Sequence, residues 1–181
     1  MLDLVNAMTS DVQGNPAVKL VMAGEPDGTD PLSEASLSDL NKPWIVRLGS
    51  VTNMPEFYTA LDIFCLPSHR EGFPNVNLEA AATGLPVVTT TATGCIDSVR
   101  SGVDGTLVPP LDPQALALAI GELVGNSSLR LAYGQQGRDR AVELFDERRI
   151  TRLLSSTLAG LLQATSHRRV SQTSSRTTHP Q

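Results

Sequence analysis

The chain has 181 residues, of which 40% are hydrophobic, enough to build one ordinary domain core. Its net charge of −5 argues against a nucleic-acid partner, because such binding needs a concentrated basic surface. Two cysteines are too few for a disulfide framework, and three histidines without an Asp-x-Asp pair form no metal-ligand cluster. We therefore expect no nucleic acid, no metal ion and no metal-binding residues.

The first two thirds of the chain alternate short apolar runs with helical patterns, which is typical of a parallel sheet with flanking helices. The runs are rich in Val, Ile and Leu without polar alternation, as expected for strands buried on both faces. Strands are predicted at Val18–Ala23, Ile45–Leu48, Ile63–Leu66, Pro86–Thr90 and Thr106–Val108. Helices are predicted at Leu2–Val12, Leu32–Leu40, Met54–Leu61, Val76–Thr83 and Ile96–Arg100. The predicted fold class is therefore α/β and Rossmann-like.

Beyond residue 110 the pattern becomes all-helical. Asp112 is a good N-cap and is followed by a first-turn proline, Pro113. Two more helices are predicted, from Ser128 to Leu144 and from Glu147 to about Gln163. From Ala164 the chain is polar and rich in Ser, Thr and Arg, so it cannot bury enough apolar surface to order itself. The sequence thus predicts one domain over residues 1–163 and a disordered tail over residues 164–181.

The sequence contains no sign of a membrane-spanning helix or of a secretory signal. None of its apolar runs approaches the roughly 18–20 residues that a membrane-spanning helix requires. The N-terminus has neither the basic start nor the continuous apolar core of a secretory signal. We expect a cytoplasmic protein, with peripheral membrane association through a partner domain as an open alternative.

The segment with most chemical information runs from the end of the third predicted strand into the next helix. Ligands of open α/β sheets bind outside the carboxyl ends of the strands, which is where the loop Ser68–Asn75 is expected. Gly72 lets the backbone approach a bound group without an intervening Cβ. The free amides at the start of the helix near Val76, together with its dipole, favour an anion. A phosphate is the natural candidate.

Two acidic residues, Glu71 and Glu79, flank this predicted anion site. Carboxylates accept pairs of hydrogen bonds from vicinal hydroxyls, so the two glutamates are able to hold sugar rings on either side of a phosphate. The alternative interpretation makes Glu79 a first-turn helix charge that complements the dipole and Glu71 a solvated loop acid. The combination of strand, glycine loop, helix start and both acids favours the ligand site.

This segment resembles the signature of the large group of retaining glycosyltransferases with the GT-B fold, often called family 4. The signature has Pro-Ser at a strand end, two glutamates separated by seven residues, a small-residue helix and Gly-x-Pro-Val-Val. The matching residues here are Pro67, Ser68, Glu71, Glu79, Ala80–Ala82 and Gly84–Val88. Downstream, Thr93–Val99 resembles the family's Gly-Gly-x-x-Glu-x-Val loop, with a cysteine and an aspartate substituted. The resemblance extends from about Leu2 to Leu154.

The resemblance implies a role for each matching residue. Glu71 is expected to contact the transferred sugar, as the catalytic residue, and Glu79 to bind the ribose hydroxyls of a nucleoside-diphosphate sugar. Backbone amides and nearby side chains are expected to bind the sugar or the diphosphate. These residues are Ser68, Arg70, Gly72, Phe73, Asn75 and Val76. The implied reaction is hexosyl transfer with retained configuration to a glycan or lipid-linked acceptor, in polysaccharide or glycoconjugate synthesis. No cofactor is expected beside the donor substrate.

A complete enzyme of this group also has an N-terminal acceptor-binding domain. The resemblance therefore implies that this chain is a gene fragment, a truncated reading frame or one subunit of a split enzyme. Three function classes stay open. The first is the donor-binding half of a glycosyltransferase, which acts only with a partner domain. The others are a non-catalytic sugar-nucleotide-binding or interaction module and one half of a sugar-nucleotide epimerase.

Overall fold

The computed structural model describes residues 2–11, 15, 17–25 and 38–174, with side chains for residues 3–9, 15, 17–25 and 38–162. The chain divides into two compact units, residues 1–141 and 142–181. The strands of the first unit are β1 (Leu20–Ala23), β2 (Ile45–Gly49), β3 (Phe64–Leu66), β4 (Val87–Thr90) and β5 (Gly105–Val108). Its helices are α1 (Leu2–Asp11), α2 (Met54–Thr59), α3 (Asn75–Ala82), α4 (Cys95–Ser98) and α5 (Pro113–Gly125). A sixth helix, α6 (Ser127–Phe145), begins in the first unit, and α7 (Glu147–Ser174) lies in the second.

The described strands form two sheets, and each strand pair is parallel. One sheet has the order β1-β2 and the other the order β3-β4-β5. The predicted Rossmann-like α/β class is confirmed, whereas the single sheet expected from the sequence is observed as two. Strand β4 is fully buried, which explains its apolar sequence without polar alternation.

Two apolar clusters hold the first unit together. One joins α1 and α5 to strands of both sheets, and its most buried side chains include Val5 and Leu123. The other packs α2 and α3 against the second sheet around Tyr58 and Val87. Because the clusters lie on different helices, both faces of the strands are covered by apolar side chains.

Several predicted boundaries move for identifiable reasons. Helix α3 begins at Asn75 because Pro74 has extended backbone angles and serves as its N-cap. Helix α4 starts at Cys95, directly after Gly94 with φ 85°, and ends where Val99 becomes extended. The Asp112 cap is confirmed, since its side chain accepts a 2.9 Å hydrogen bond from the amide of Ala115.

Two predicted segments fall partly outside the described residues. Of the helix predicted at Leu32–Leu40, residues 32–37 are not described, and Ser38 and Asp39 are helical. The last helix, predicted to end near Gln163, continues to Ser174, so residues 164–174 are helical. The tail over residues 175–181 lies outside the described residues, and the domain boundary at residue 163 stays a prediction.

Candidate functional site

The candidate site starts where β3 ends. Buried threonines of β4 hold the backbone that leaves β3 in place through side-chain hydrogen bonds. The Thr89 hydroxyl donates a 2.9 Å hydrogen bond to the carbonyl of Leu66. The Thr90 hydroxyl donates to the carbonyl of Ser68. Both threonines are at most 2% exposed, so these bonds are shielded from water. The carboxyl end of β3 therefore delivers the loop in one defined direction.

The loop residues Glu71 and Gly72 lie directly against Gly94. A Cβ built on Gly94 would come within 2.0 Å of the Gly72 carbonyl oxygen and 2.8 Å of that of Glu71. Gly94 also has a φ of 85°, which side-chain-bearing residues rarely adopt. The loop after β4 thus supports the loop that carries Glu71 through backbone contact that only glycine permits.

The first turn of α3 presents amides without a protein cap. Its N-cap, Pro74, makes no side-chain cap hydrogen bond, and the amide of Asn77 donates to the Pro74 carbonyl at 3.1 Å. Within the described part of the chain, the amides of Asn75 and Val76 have no acceptor. Unsatisfied amides at the positive end of a helix are a binding site for an anion.

The sequence predicted Glu79 in the first turn of this helix. It lies in the second turn of α3, because the helix starts at Asn75. It is four residues from Asn75, about 6 Å along the helix axis. Its Oε2 accepts a 2.8 Å hydrogen bond from the hydroxyl of Tyr58 on α2. Glu79 is exposed, whereas Tyr58 is 1% exposed. A buried side chain thus orients a carboxylate at the surface.

The environment of Tyr58 keeps it a hydrogen-bond donor. Burial, followed by the hydrogen bond and the charge of Glu79, raises the pKa of the Tyr58 phenol well above its ordinary value. The ring is held by Phe57 and Phe64, with centroid distances of 5.8 and 5.6 Å. Sequence reasoning missed Tyr58, because its position in an apolar helix face gave no sign of a polar partner 21 residues away.

The remaining predicted residues lie around the loop with different exposures. Phe73 is 40% exposed, Arg70 is exposed, and Ser68 is half-buried. The Ser68 hydroxyl donates to the Arg70 carbonyl at 3.2 Å, which tightens the loop. His69 is turned to α1, where its Nε2 lies 2.6 Å from Oδ2 of Asp3. The structure therefore places Glu71, Gly72, Asn75 and Val76 on one continuous loop and helix start, and Glu79 one turn further.

A second residue missed by the sequence analysis, Asn77, ties α3 to α4. Its side chain is fully buried and donates a 2.8 Å hydrogen bond to the Ser98 hydroxyl. The Ser98 hydroxyl donates in turn to the Cys95 carbonyl at 2.7 Å. Oδ1 of Asn77 is buried without a hydrogen-bond partner. Position 77 lies between the two glutamates, and this placement was the signal that could have identified it.

The described residues contain no group of three or more His, Cys, Asp or Glu side chains arranged to hold a metal ion. No helix among them combines the length and the apolar character that crossing a bilayer needs. The expectation that the site works without a metal or cofactor stays a prediction.

Comparison with known proteins assigns the chain to a family. Residues 1–126 match the family described as "Glycosyl transferases group 1". The capsular polysaccharide biosynthesis glycosyltransferase CapM of Staphylococcus aureus is 36% identical over 140 residues, which cover 77% of this chain and 37% of CapM.

Solved structures show the same fold. HepE of Anabaena, in a complex with UDP, superposes with a TM-score of 0.82 at 23% identity, covering 88% of this chain and 45% of that one. The C-terminal domain of the group 1 glycosyl transferase LpcC of Francisella tularensis gives a TM-score of 0.72 at 26% identity, covering 80% and 78%. The fold is thus that of GT-B glycosyltransferase structures, and the chain spans less than half the length of CapM and HepE. By its sequence match and its fold, this chain belongs to the group 1 glycosyl transferases.

Proposed function

We propose that this chain is the donor-binding half of a retaining glycosyltransferase, and that it binds a nucleoside-diphosphate sugar for transfer to a glycan or lipid-linked acceptor. The observation that carries the proposal is the arrangement of binding groups along α3. One helix offers uncapped amides at its start and, one turn later, a carboxylate oriented by Tyr58. An anion and a diol at this spacing are what a nucleoside diphosphate contains.

The diphosphate is assigned to the amides of Asn75 and Val76. Their donors and the helix dipole stabilise negative charge without a bound metal. Gly72 and Phe73 extend this wall on the loop side, Gly72 without a side chain to obstruct a close approach. The structure of HepE, to which this chain is similar, contains UDP, which supports a nucleotide as the ligand of this chain.

Glu79 is assigned to the ribose. Its carboxylate is exposed and keeps free acceptor capacity beside the hydrogen bond from Tyr58, so it is able to accept both ribose hydroxyls. Glu71 is assigned to the transferred sugar, because it precedes the phosphate-binding amides in the chain, whereas Glu79 follows them. The backbone of this loop packs directly against Gly94.

The chemistry follows from charge. Cleavage of the anomeric bond leaves negative charge on the diphosphate, which the first turn of α3 stabilises. We propose that the leaving phosphate accepts the proton of the incoming hydroxyl, so that Glu71 orients the sugar and does not become covalently bound. The acceptor needs a second wall, and the similarity to the separate C-terminal domain of LpcC supports a partner domain for that purpose.

The test is ligand-observed NMR of the 181-residue chain with a panel of UDP-, GDP- and ADP-sugars and the bare nucleotides. The expected result is saturation transfer to one nucleotide series, with the ribose protons closest to the protein. Absence of binding across the panel would overturn the proposal. Binding of a donor without transfer after addition of an acceptor domain would favour a non-catalytic sugar-nucleotide module.

A further inference from the structure

Helix α4 contacts both sides of the candidate site. Its N-cap, Gly94, lies against the backbone of Glu71 and Gly72, which we call the loop wall. Its last residue, Ser98, accepts a hydrogen bond from Asn77 in the first turn of α3, which we call the helix wall. A helix rises about 1.5 Å per residue, so the two contacts are about 6 Å apart along α4. One short helix therefore bridges the two walls.

The hydrogen bonds at the end of α4 are fixed in direction. The Ser98 hydroxyl has a single proton, which it donates to the carbonyl of Cys95 at 2.7 Å. Its oxygen therefore accepts the 2.8 Å bond from Nδ2 of Asn77. The side chains of Asn77 and Ser98 are at most 2% exposed, so water does not compete for these bonds. The series of bonds thus runs from α3 through Ser98 to the first residue of α4.

This polar pair is buried beside an apolar cluster. Ala80, one turn after Asn77, and Val99, directly after Ser98, both belong to that cluster. An intramolecular hydrogen bond adds little net stability, and Oδ1 of Asn77 is buried without a partner among the described residues, which costs stability. An apolar side chain at position 77 would avoid this cost. The amide adds direction instead, because a hydrogen bond is directional and an apolar contact is not.

The carbonyls at the end of α4 are held by α6. Nη1 of Arg140 donates to the Ser98 carbonyl and Nη2 donates to the Asp97 carbonyl, each at 2.7 Å. Two bonds from one planar guanidinium fix both the position and the orientation of the helix end. The end of α4 is therefore held from two directions, by Asn77 of α3 and by Arg140 of α6.

We propose that α4 is a spacer that sets the separation between the loop wall and the helix wall, and that Asn77 and Ser98 are its positioning residues. The ligand assignment rests on the proposed function, which places the transferred sugar at Glu71 and the diphosphate at the amides that start α3. The sugar and the diphosphate are joined by one bond, so both are bound at once only if the walls are correctly spaced. The spacer thus determines how much the sugar adds to the affinity of the nucleotide.

Loss of the bond from Asn77 should displace the loop wall and leave the helix wall in place. Helix α3 has eight residues, and its buried Ala80 and Ala81 anchor it in the core. Helix α4 has four residues, and a single turn holds its own shape poorly, so α4 is the element that shifts. Gly94 shifts with it, and the loop wall packs against Gly94.

Two variants test the spacer. Asn77→Leu removes the amide that donates to Ser98 and keeps a side chain of similar size, and Ser98→Ala removes the acceptor. The double variant Asn77→Leu/Ser98→Ala closes a double-mutant cycle, in which residues that act as a pair give non-additive losses. The control is Thr83→Val, which removes a 2.7 Å hydrogen bond to the Ala80 carbonyl on the same helix without involving α4.

The first measurement needs no ligand. The backbone amide NMR signals of Glu71 and Gly72 are compared between the wild-type chain and its variants. We expect both signals to shift in Asn77→Leu and in Ser98→Ala, and to keep their wild-type positions in Thr83→Val. Unchanged signals in the two spacer variants would overturn the inference, whether or not the chain binds a nucleotide.

The second measurement is calorimetric titration with UDP and UDP-glucose, and with GDP and GDP-mannose. Both spacer variants should bind the bare diphosphate within about twofold of the wild type, as expected for changes away from the contact. They should bind the nucleotide sugar about tenfold more weakly, a loss in the range for residues that share one hydrogen-bond network. Equal losses for both ligands would show a merely structural role, and an undiminished contribution of the sugar would equally overturn the inference.

Urea unfolding separates the spacer from a role in stability. Asn77→Leu should keep or raise the free energy of unfolding, because it removes a buried acceptor that has no partner among the described residues. If this variant does not fold, Ser98→Ala carries both measurements. Absence of nucleotide binding by the wild type would contradict the proposed function, and the amide signals of the loop wall would then decide the spacer by themselves.

Discussion

The hydroxyl of Tyr58 on α2 donates a 2.8 Å hydrogen bond to Oε2 of Glu79 on α3. The donor is buried and its acceptor exposed, so the bond transmits the rigidity of the core to a carboxylate at the surface. A long side chain in solvent samples several rotamers, and holding it in one lowers the entropy lost when a ligand binds.

Tyr58→Phe should weaken nucleotide binding without disturbing the fold. The ring and its contacts with Phe57 and Phe64 are retained, and only the donor to Glu79 is lost. The hydrogen bond that orients Glu79 is expected to contribute about 1 kcal/mol to the binding free energy, and its loss corresponds to about a fivefold higher Kd. Calorimetric titration with the best nucleotide of the panel measures it. The control is Tyr133→Phe on α6, and equal affinities of both variants and the wild type would contradict a positioning role for Tyr58.

Substitution of Glu79 and substitution of Glu71 should have different effects on the affinities for the bare nucleotide and for the nucleotide sugar. Glu79→Gln is expected to weaken the bare nucleoside diphosphate and the nucleotide sugar alike, by about 1.5–3 kcal/mol, because charge-assisted hydrogen bonds to ribose are lost. Glu71→Gln is expected to leave the bare nucleotide nearly unchanged and to weaken the nucleotide sugar. The exposed Glu122 on α5 supplies the control variant Glu122→Gln. Equal losses for both ligands in Glu71→Gln would show that the roles are not divided in this way.

Gly94→Ala tests the support of the site loop. The new Cβ would collide with the Gly72 carbonyl and occupy a backbone conformation with φ 85°. Gly84 has the same φ but nothing within 4 Å of its Cβ position. Both variants share a backbone cost of about 1–3 kcal/mol, but only Gly94→Ala should also displace Glu71 and Gly72 and abolish sugar-nucleotide binding. Thermal unfolding and titration measure the two effects, and similar binding by both variants would contradict the support role.

The free energy of unfolding should fall at alkaline pH. Burial raises the pKa of the Cys65 thiol to about 12, above its ordinary value of about 8.5. Above about pH 8.5 the unfolded chain releases a proton that the folded chain retains, so stability falls as pH rises. Tyr58, whose pKa is also raised, adds a second decline above about pH 10. Urea unfolding at several pH values measures the slope, and Cys65→Ala should flatten its first part.

The chain by itself should transfer no sugar at a useful rate. The first turn of α3 supplies part of the stabilisation of the leaving diphosphate, but transfer also requires a positioned acceptor, and this gain is lost without the acceptor wall. Radiolabelled nucleotide sugars with mixed lipid and glycan acceptors measure transfer before and after an N-terminal domain is added. Robust transfer by the isolated chain would contradict the two-part site.

Local sequence signals predicted the elements well where local chemistry determines them. Asp112 and Pro113 start α5 as expected, and the apolar run Pro86–Thr90 contains β4. Boundaries shifted where one backbone conformation decided them, as at Pro74 and Gly94.

Sequence patterns did not predict the contacts between residues that are far apart in the chain. The hydrogen bond of Tyr58 and the backbone contact between Gly94 and Gly72 each join two separate loops or helices. The motif thus located the site, and only the structure revealed what positions it.

The residues that form and support the proposed donor site, from Tyr58 to Gly94, occupy one uninterrupted stretch of the chain. This compactness has an evolutionary consequence. A recombination event with crossovers outside residues 58–94 transfers the glutamates together with the side chain and glycine that position them. Donor preference is therefore expected to be inherited as a block, and chimaeras between family members that exchange this stretch alone should acquire the nucleotide preference of its parent.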